Sequence, residues 1–332
     1  MKVSIKKISE VTGFSPATIS NALNNKKGVN KDTAETIFKA AKKLGYFVDN
    51  KMTHIKFVSI KKHGKVVSDT PFFHNLIEGV EKESRIAGLD TIICNLNTGD
   101  GDYDQRLSEI LSDSSCGILA LATELDNHEM ERFKSALGPL VIIDNWSDSM
   151  KFNSVMISNA DSMYNATLVL SGSGHKNIGY LKSSFNIKNF YYRYHGYQRA
   201  MQDLELTIDP AHTVRLEPTM EGSYRDMMEY LSTAPTLPTA YLADNDIIAF
   251  GAMKALKENG CRLPEDISVI GFDDLPFCEI SSPTLSTIRV PKQELGRTAV
   301  RRLVEIASDK HSIPLKIQVS TEYIARESVR KI

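Results

Sequence analysis

Three short runs in this 332-residue chain carry groups able to do chemistry: Asp144-Asn145-Trp146, Asn245-Asp246 and Phe272-Asp273-Asp274. Carboxylates and amides accept from and donate to neighbouring hydroxyls in pairs, an Arg fork adds rigid donors, and aromatic faces stack on a sugar's C–H surface. That chemistry holds a small polar ring. Asn245 and Asp246 also fit as caps of a following helix, so each has a structural reading beside the binding one. The Asp273-Asp274 pair invites a metal or acid/base reading. Adjacent residues at a strand end point in opposite directions, however, and no second acidic pair or His cluster accompanies them. Gly172-Ser173-Gly174-His175 lacks the Gly-Lys-Ser/Thr ending of a phosphate loop and precedes a strand, which makes it a turn. No G-x-G-x-x-G follows the first strand, where Lys61-Lys62-His63-Gly64-Lys65 stands instead. The eight His are scattered; His195 beside Arg193 reads as an exposed helical residue. With no nucleophile–base set in view, an enzyme is not expected, nor are a catalytic residue, a cofactor or a metal.

A second kind of chemistry lies near the N-terminus. Ser4 caps a short helix on which Ile5, Ile8 and Val11 are expected to share an apolar side, and Gly13 ends it. Ser15-Pro16 restarts a helix, because Ser accepts from open backbone N–H groups and Pro is harmless at the first helical position. Ile19, Ala22 and Leu23 face a core, leaving Ala17, Thr18, Ser20, Asn21 and Asn24 as a small, polar outer face. Such a face fits a DNA major groove about 12 Å wide, where hydroxyls reach phosphates and an Asn amide matches adenine. A third helix, from about Lys31 to Leu44, carries Ala34, Ile37, Phe38, Ala41 and Leu44 as its core stripe. Charge agrees with this reading. Residues 1–56 hold eleven Lys, no Arg and four acids, a formal +7, whereas the whole chain is −1. One basic domain on an acidic body is the asymmetry of a protein that presents that domain to a polyanion.

The composition, 42% hydrophobic and 24% charged, is that of an ordinary globular protein long enough for two sizeable domains beyond the basic head. Cys94, Cys116, Cys261 and Cys278 lie far apart without a CxxC pair, which argues against a disulfide scaffold or zinc cluster and for a reducing, cytoplasmic compartment. No apolar leader or membrane-length run is seen, so export and membrane insertion are not expected. From Ile55 onward, β-branched runs alternate with amphipathic helices. Strands are expected at 55–60, 91–96, 117–122, 140–144, 178–182, 214–217, 240–243 and 268–272, with helices at 73–87, 103–111, 128–137, 160–171, 192–204, 223–232 and 246–259. This is an α/β body of two open parallel sheets. In such sheets ligands collect beyond the carboxyl ends of the strands, where the polar clusters above fall.

Residues 5–46 resemble the headpiece of the lactose-repressor (LacI/GalR) family, with its turn Gly13, Ser15, Thr18-Ile19-Ser20, Asn21 and Gly45-Tyr46. The resemblance implies an all-α helix-turn-helix headpiece in which Pro16, Ala17 and Asn21 meet bases and Ser15, Thr18, Ser20 and Asn24 contact or support phosphates. Ser4 and Lys6 join the DNA-binding set. The body resembles the same family through Gly174–Tyr180, Ala243–Met253, Pro264–Asp274 and Ser282–Ile288. Two parallel-sheet subdomains of the periplasmic-binding-protein type are thereby implied, with an effector cleft drawing on Phe72, Phe73, Asp144, Trp146, Arg193, Asn245 and Asp273. The implied domains are a headpiece at 1–46, a linker at 47–54 and a body at 55–332. Subdomain one takes about 55–158 and 290–318, and subdomain two about 159–289 and 319–332. The implied function is a transcriptional regulator, a repressor, acting as a homodimer on double-stranded operator DNA and switched by a small molecule, expected to be a sugar. A sugar-binding transport protein is the alternative, against which the basic headpiece speaks.

One segment departs from the family. After Gly45-Tyr46 the family continues with Pro-Asn and an Ala-rich hinge helix whose Leu wedges into the minor groove. Here Phe47–His54 leads straight into the first strand, too short for two helical turns at about 1.5 Å per residue. Two consequences are open: a headpiece attached more rigidly to the body, or Met52 serving as a weaker wedge.

Overall fold

The computed structural model describes residues 4–23, 28–44, 46, 52–67, 71–309 and 312–332. Its headpiece has α1 (Ile5–Thr12), α2 (Pro16–Leu23) and α3 (Lys31–Leu44) around a core of Ile8, Ile19, Ala22, Ile37 and Ala41. Local chemistry fixes the boundaries. The Ser4 hydroxyl accepts from Lys7 N–H, Gly13 closes α1 in the left-handed region at φ 75°, and Ser15 Oγ accepts from Thr18 N–H at 3.1 Å. The expectation for Val11 fails, since it is 57% exposed. Two three-residue steps leave it about 120° around the helix from Ile5, and Phe14 packs against the core instead.

The body consists of two six-stranded sheets. Its elements run β1 (His54–Lys61), α4 (Pro71–Ile86), β2 (Asp90–Asn97), α5 (Tyr103–Leu111), β3 (Cys116–Leu121), α6 (Asn127–Met130), β4 (Leu140–Ile143) and β5 (Asn153–Ile157). Next come α7 (Asn159–Gly172), β6 (Ile178–Ser183), α8 (Lys188–Asp203), β7 (Thr213–Leu216), α9 (Met220–Ser232), β8 (Ala240–Ala243), α10 (Asp246–Glu258), β9 (Ser268–Asp273) and β10 (Ser286–Arg289). Last are α11 (Lys292–Ser308), β11 (Lys316–Val319) and β12 (Glu322–Ile324). The first sheet has the order β11-β5-β4-β3-β1-β2, and the second β12-β10-β9-β8-β6-β7. All pairings are parallel except β10 with β12. The chain therefore crosses between sheets after β5, again between β10 and α11, and again between β11 and β12. Three crossings leave the ends of both sheets facing a shared cleft.

Central strands such as β3, buried at every residue, are continuous apolar runs because helices cover both faces. The helix expected at 128–137 is instead one α turn followed by a 3-10 segment, Glu131–Ser135. Met130, Phe133 and Ala136 are all buried, and three-residue winding puts such a series on one line. No helix among the described residues is long and apolar enough to cross a membrane.

Met52 belongs to the body. A Cβ built on Gly117 would lie 2.4 Å from Met52 Sδ and 2.7 Å from Leu303 Cδ2, so the thioether fills the space that Gly117 leaves. Thr53 N–H donates to Ser115 O at 2.9 Å. Met52 is thus half-buried against the floor of the first sheet, and a role as a wedge would require it to leave this packing. Residues 47–51 lie outside the described set.

Candidate functional site

A cavity of about 230 Å3 opens where the carboxyl ends of both sheets meet. Strand ends supply its chemistry. Asp144 follows β4, Asp273 ends β9 and Asn245 precedes α10, while α4 brings Phe72 and Phe73 and α8 brings Asn189, Phe190 and Arg193. Both aspartates have left-handed backbones, φ 59° at Asp144 and 115° at Asp273. L-residues adopt this conformation at a cost, and such outliers gather at ligand sites.

Arg193 organises one side. Its Nε donates to Asn159 Oδ1 at 2.8 Å and one NH2 group to Asp244 O, and the guanidinium lies 3.6 Å from the Phe272 ring centroid. The remaining nitrogen is 3.7 Å from Asp273 Oδ1. Burial pushes the Asp273 carboxyl up, against the opposing pull of Arg193 and Lys292. Asn159 in turn donates to Asn189 Oδ1 at 3.1 Å, and Asn189 donates to Asp144 O at 3.3 Å. One chain of amides therefore ties Asp144 of the first sheet to Arg193 of the second.

Asp144 carries the sharpest sign of a missing partner. It is 4% exposed, its Oδ2 accepts from the Thr123 hydroxyl at 2.8 Å, and its Oδ1 is buried with no hydrogen bond. A buried acceptor left open costs roughly 1–3 kcal/mol, which a ligand donor would relieve. Burial raises the carboxyl to about 6, with the Thr123 hydroxyl, Arg193 and the neighbouring Asn189 amide pulling the other way. A ligand donating to Oδ1 favours the ionised form, so affinity is expected to be level above pH 7 and to fall about tenfold by pH 5, one unit below that midpoint. Asp144→Asn should flatten the profile, as titration calorimetry from pH 5 to 8 would show; an unchanged slope would remove Asp144 from the contact set.

The other expected residues divide. Asn245 lines the cavity and also caps α10, its Oδ1 accepting from Ile248 N–H at 2.9 Å. The cap is therefore shown, with the side chain at the cavity wall. Asn145 is wholly structural: its amide donates to Ala122 O and Leu125 O, both at 2.7 Å, and accepts from Trp146 N–H. Trp146 does not line the cavity. It packs at a tilt against Tyr192, ring centroids 5.0 Å apart, with the ammonium groups of Lys188 and Lys316 over its ring. Asp274 turns away to Arg289 and Arg326, at 2.7 and 2.8 Å. Asp246 is buried beneath the site, accepting from Thr287 Oγ1, Leu275 N–H and the Cys278 thiol.

Sequence reasoning missed Asn189, Thr123, Lys65 and Lys292. Lys292 donates to both the Asp273 and Asp274 carbonyls from the start of α11, a crossing no local pattern announces. Asn189 lay within reach, one helical turn before Arg193. Outside the cleft, His54, Asp113 and Cys116 place ligand-type atoms within 4.8 Å of one another. Lys56 Nζ already sits 2.7 Å from Asp113 Oδ2 and supplies the cation there.

In the headpiece, Ser4, Lys6, Ser15, Pro16 and Ala17 are exposed, whereas Thr18, Ser20 and Asn21 are half-buried on the same helix-turn-helix unit. Ser15 and Thr18 hydroxyls bond each other at 2.9 Å. Asn24 lies outside the described residues.

Two family models match the chain: "Bacterial regulatory proteins, lacI family" over residues 4–49, and "Periplasmic binding protein-like domain" over 169–329. Proteins named HTH-type transcriptional repressor PurR match end to end. That of Haemophilus influenzae (strain PittEE) is 31% identical over 99% of both chains, and that of Pasteurella multocida (strain Pm70) 30% over 98% of both. Among solved structures, a transcriptional regulator CelR–cellobiose complex superposes with a TM-score of 0.75 at 24% identity, covering 99% of this chain and 100% of that one. The lac repressor dimer bound to operator and an anti-inducer gives 0.73 at 20%, with the same coverage. A family regulator from Enterococcus faecium with bound ribose gives 0.69 at 23%, covering 83% of this chain and 99% of its own.

Proposed function

This chain belongs to the lacI family of bacterial regulatory proteins and is a DNA-binding transcriptional repressor; from that premise we propose that a small ring-shaped effector in the cleft sets its affinity for operator DNA. The open Oδ1 of Asp144 is the observation that carries the reading. A sugar suits the site: its hydroxyls donate to Asp144 and Asp273 and accept from Arg193, while Phe72, Phe73 and Phe190 offer apolar faces. A purine base is the second reading, favoured by the end-to-end relatives named PurR. Either is small enough for a cavity of about 230 Å3, below the roughly 300–1,000 Å3 of most ligand pockets. A thermal-shift screen of monosaccharides, disaccharides and purine bases separates the two, since only a ligand that binds the native state raises the melting temperature.

The switch needs an effector that prefers one arrangement of the subdomains, because equal affinity for both shifts nothing. Contacts between the sheets that such a rotation would remake include Lys65–Glu217 at 3.0 Å and Lys188–Asp148 at 2.9 Å. A homodimer supplies two half-sites, which one headpiece with few base contacts needs for a useful specificity margin. Exposed Ile86 at the end of α4, Ile92 and Ile93 on edge strand β2, and Phe277 and Ile280 on the second subdomain support pairing of two copies.

On DNA, Asn21 reads bases and Lys6 meets phosphate. Asn21→Ala is expected to cost about 1–3 kcal/mol on the preferred duplex and little on random DNA, whereas Lys6→Ala weakens both and lowers the salt slope by about 1. Fluorescence anisotropy on the two duplexes checks this; equal losses for both variants on both duplexes would cancel the assignment.

A further inference from the structure

The segment between β1 and α4 forms one wall of the cleft through Gly64, Lys65 and Val66, yet residues 62–67 belong to no helix or strand. Almost all of their backbone N–H groups are held by a single carboxylate. Glu124, just beyond β3, has a side chain with no exposure to solvent. Its Oε2 accepts from Lys62, His63 and Gly64 N–H at 2.7, 3.0 and 3.1 Å, and its Oε1 from Val66 and Val67 N–H at 3.0 and 2.8 Å. The remaining N–H of the segment, that of Lys65, donates to His63 Nδ1 at 3.1 Å. Successive backbone N–H groups wrapped in this way form an anion-binding concavity, and here the anion is part of the chain.

Burial alone would push the Glu124 carboxyl up, but the surrounding backbone donors outweigh it and hold the group below its ordinary value. The ionised carboxylate is therefore the working form at neutral pH. Removing it would leave five buried or half-buried backbone donors without acceptors in a segment that has no ladder of its own, held otherwise only through side chains such as Lys62 on Asp126 and Glu129 and Val67 in the core. The consequence reaches the other subdomain, because Lys65 Nζ pairs with Glu217 Oε1 at 3.0 Å and the His63 ring lies 4.5 Å from that of Phe185.

We propose that Glu124 is a positioning residue for the effector: a built-in anion that moulds residues 62–67 into the cleft wall and presents Lys65 to Glu217 across the opening. The proposal rests on the reading of the cleft as the effector site. Glu124 itself is not among the residues that line the cavity, its two oxygens being taken up by the N–H groups of 62–67.

The test uses the full-length protein with Glu124→Gln and Glu124→Ala. Gln keeps the volume but turns one acceptor into an NH2 group facing N–H donors, and Ala empties the concavity. Hydrogen exchange at the amides of 62–67 is expected to quicken at least tenfold in both variants. Sodium formate should slow it again in Glu124→Ala only, because Gln still fills the space. Affinity for whichever sugar or purine base wild type binds is expected to fall about tenfold, as when one molecule in ten holds the competent wall, and formate should restore it in the Ala variant. Operator affinity without ligand should stay at the wild-type value, and a cooperative urea transition in each variant reports that its body folds. Unchanged exchange, unchanged ligand affinity in Glu124→Gln, or no response of Glu124→Ala to formate would each overturn the proposal. If wild type binds nothing in the panel, the effector reading itself fails, and exchange with and without formate decides whether Glu124 organises the segment.

Discussion

Arg193→Ala is expected to weaken effector binding at least a hundredfold, about 2.7 kcal/mol, and to destabilise the body at the same time. The two effects share a cause. Arg193 is 4% exposed and serves three acceptors, Asn159 Oδ1, Asp244 O and the Asp273 carboxylate, while lying flat on Phe272. Truncation leaves a largely buried Asp273 without its guanidinium, and breaking a buried charge pair by removing one partner costs about 3–5 kcal/mol. The 3.7 Å separation places this pair at the lower end of that range. Arg193→Lys keeps the charge but offers no planar fork and no flat face for the ring, so it should recover stability better than affinity. Urea denaturation measures the first effect and calorimetric titration of the ligand the second. DNA binding by the folded variant should be close to wild type, because the headpiece has its own core. Loss of ligand affinity in Arg193→Ala with none in Arg193→Lys would mean that charge alone matters there.

The second large effect is in packing. Helices α4 and α11 cross so closely that a Cβ on Gly79 would lie 2.1 Å from Gln293 O, and one on Gly296 would lie 2.5 Å from Leu76 O. Both obstacles are backbone atoms, which cannot swing aside as a side-chain tip does. Gly79→Ala must push the helices apart and is expected to cost about 1–3 kcal/mol, as overpacking does. Gly172→Ala is the control: nothing lies within 4 Å of its added Cβ, and its φ is outside the left-handed region. It should be neutral or slightly stabilising by helix propensity. Equal shifts in denaturation midpoint for the two variants would refute the close crossing. If the cleft binds the effector as proposed, Gly79→Ala should weaken that binding too, because the first turn of α4 carries Phe72 and Phe73 and α11 starts with Lys292, which holds the Asp273 carbonyl.

Where function was legible in the sequence, it was written in local rules. Ser4, Gly13 and Ser15-Pro16 mark the ends of headpiece helices because caps act over three or four residues, and apolar runs mark the strands because burial on both faces leaves no alternation. Strand ends pointed to Asp144 and Asp273 for the same reason. What sequence could not show depends on backbone turning at those ends. Asn145 and Trp146 adjoin Asp144, but the left-handed Asp144 backbone redirects the chain, so the amide closes a loop and the indole packs beside Tyr192. Lys292 and Glu124 escaped because their partners lie 19 and about 60 residues away, beyond any periodicity. Val11 was misplaced by treating three-residue spacing as a full turn.

The account stands or falls on coupling between the cleft and the headpiece. The direct measurement is anisotropy of a duplex that the protein itself has selected from random DNA, titrated with each sugar or purine base that raises the melting temperature. The account predicts that one such ligand changes operator affinity at least tenfold, about 1.4 kcal/mol of coupling, and that Asp144→Asn blunts the change while binding the duplex normally without ligand. A ligand that stabilises the protein strongly and leaves operator affinity unmoved would contradict it.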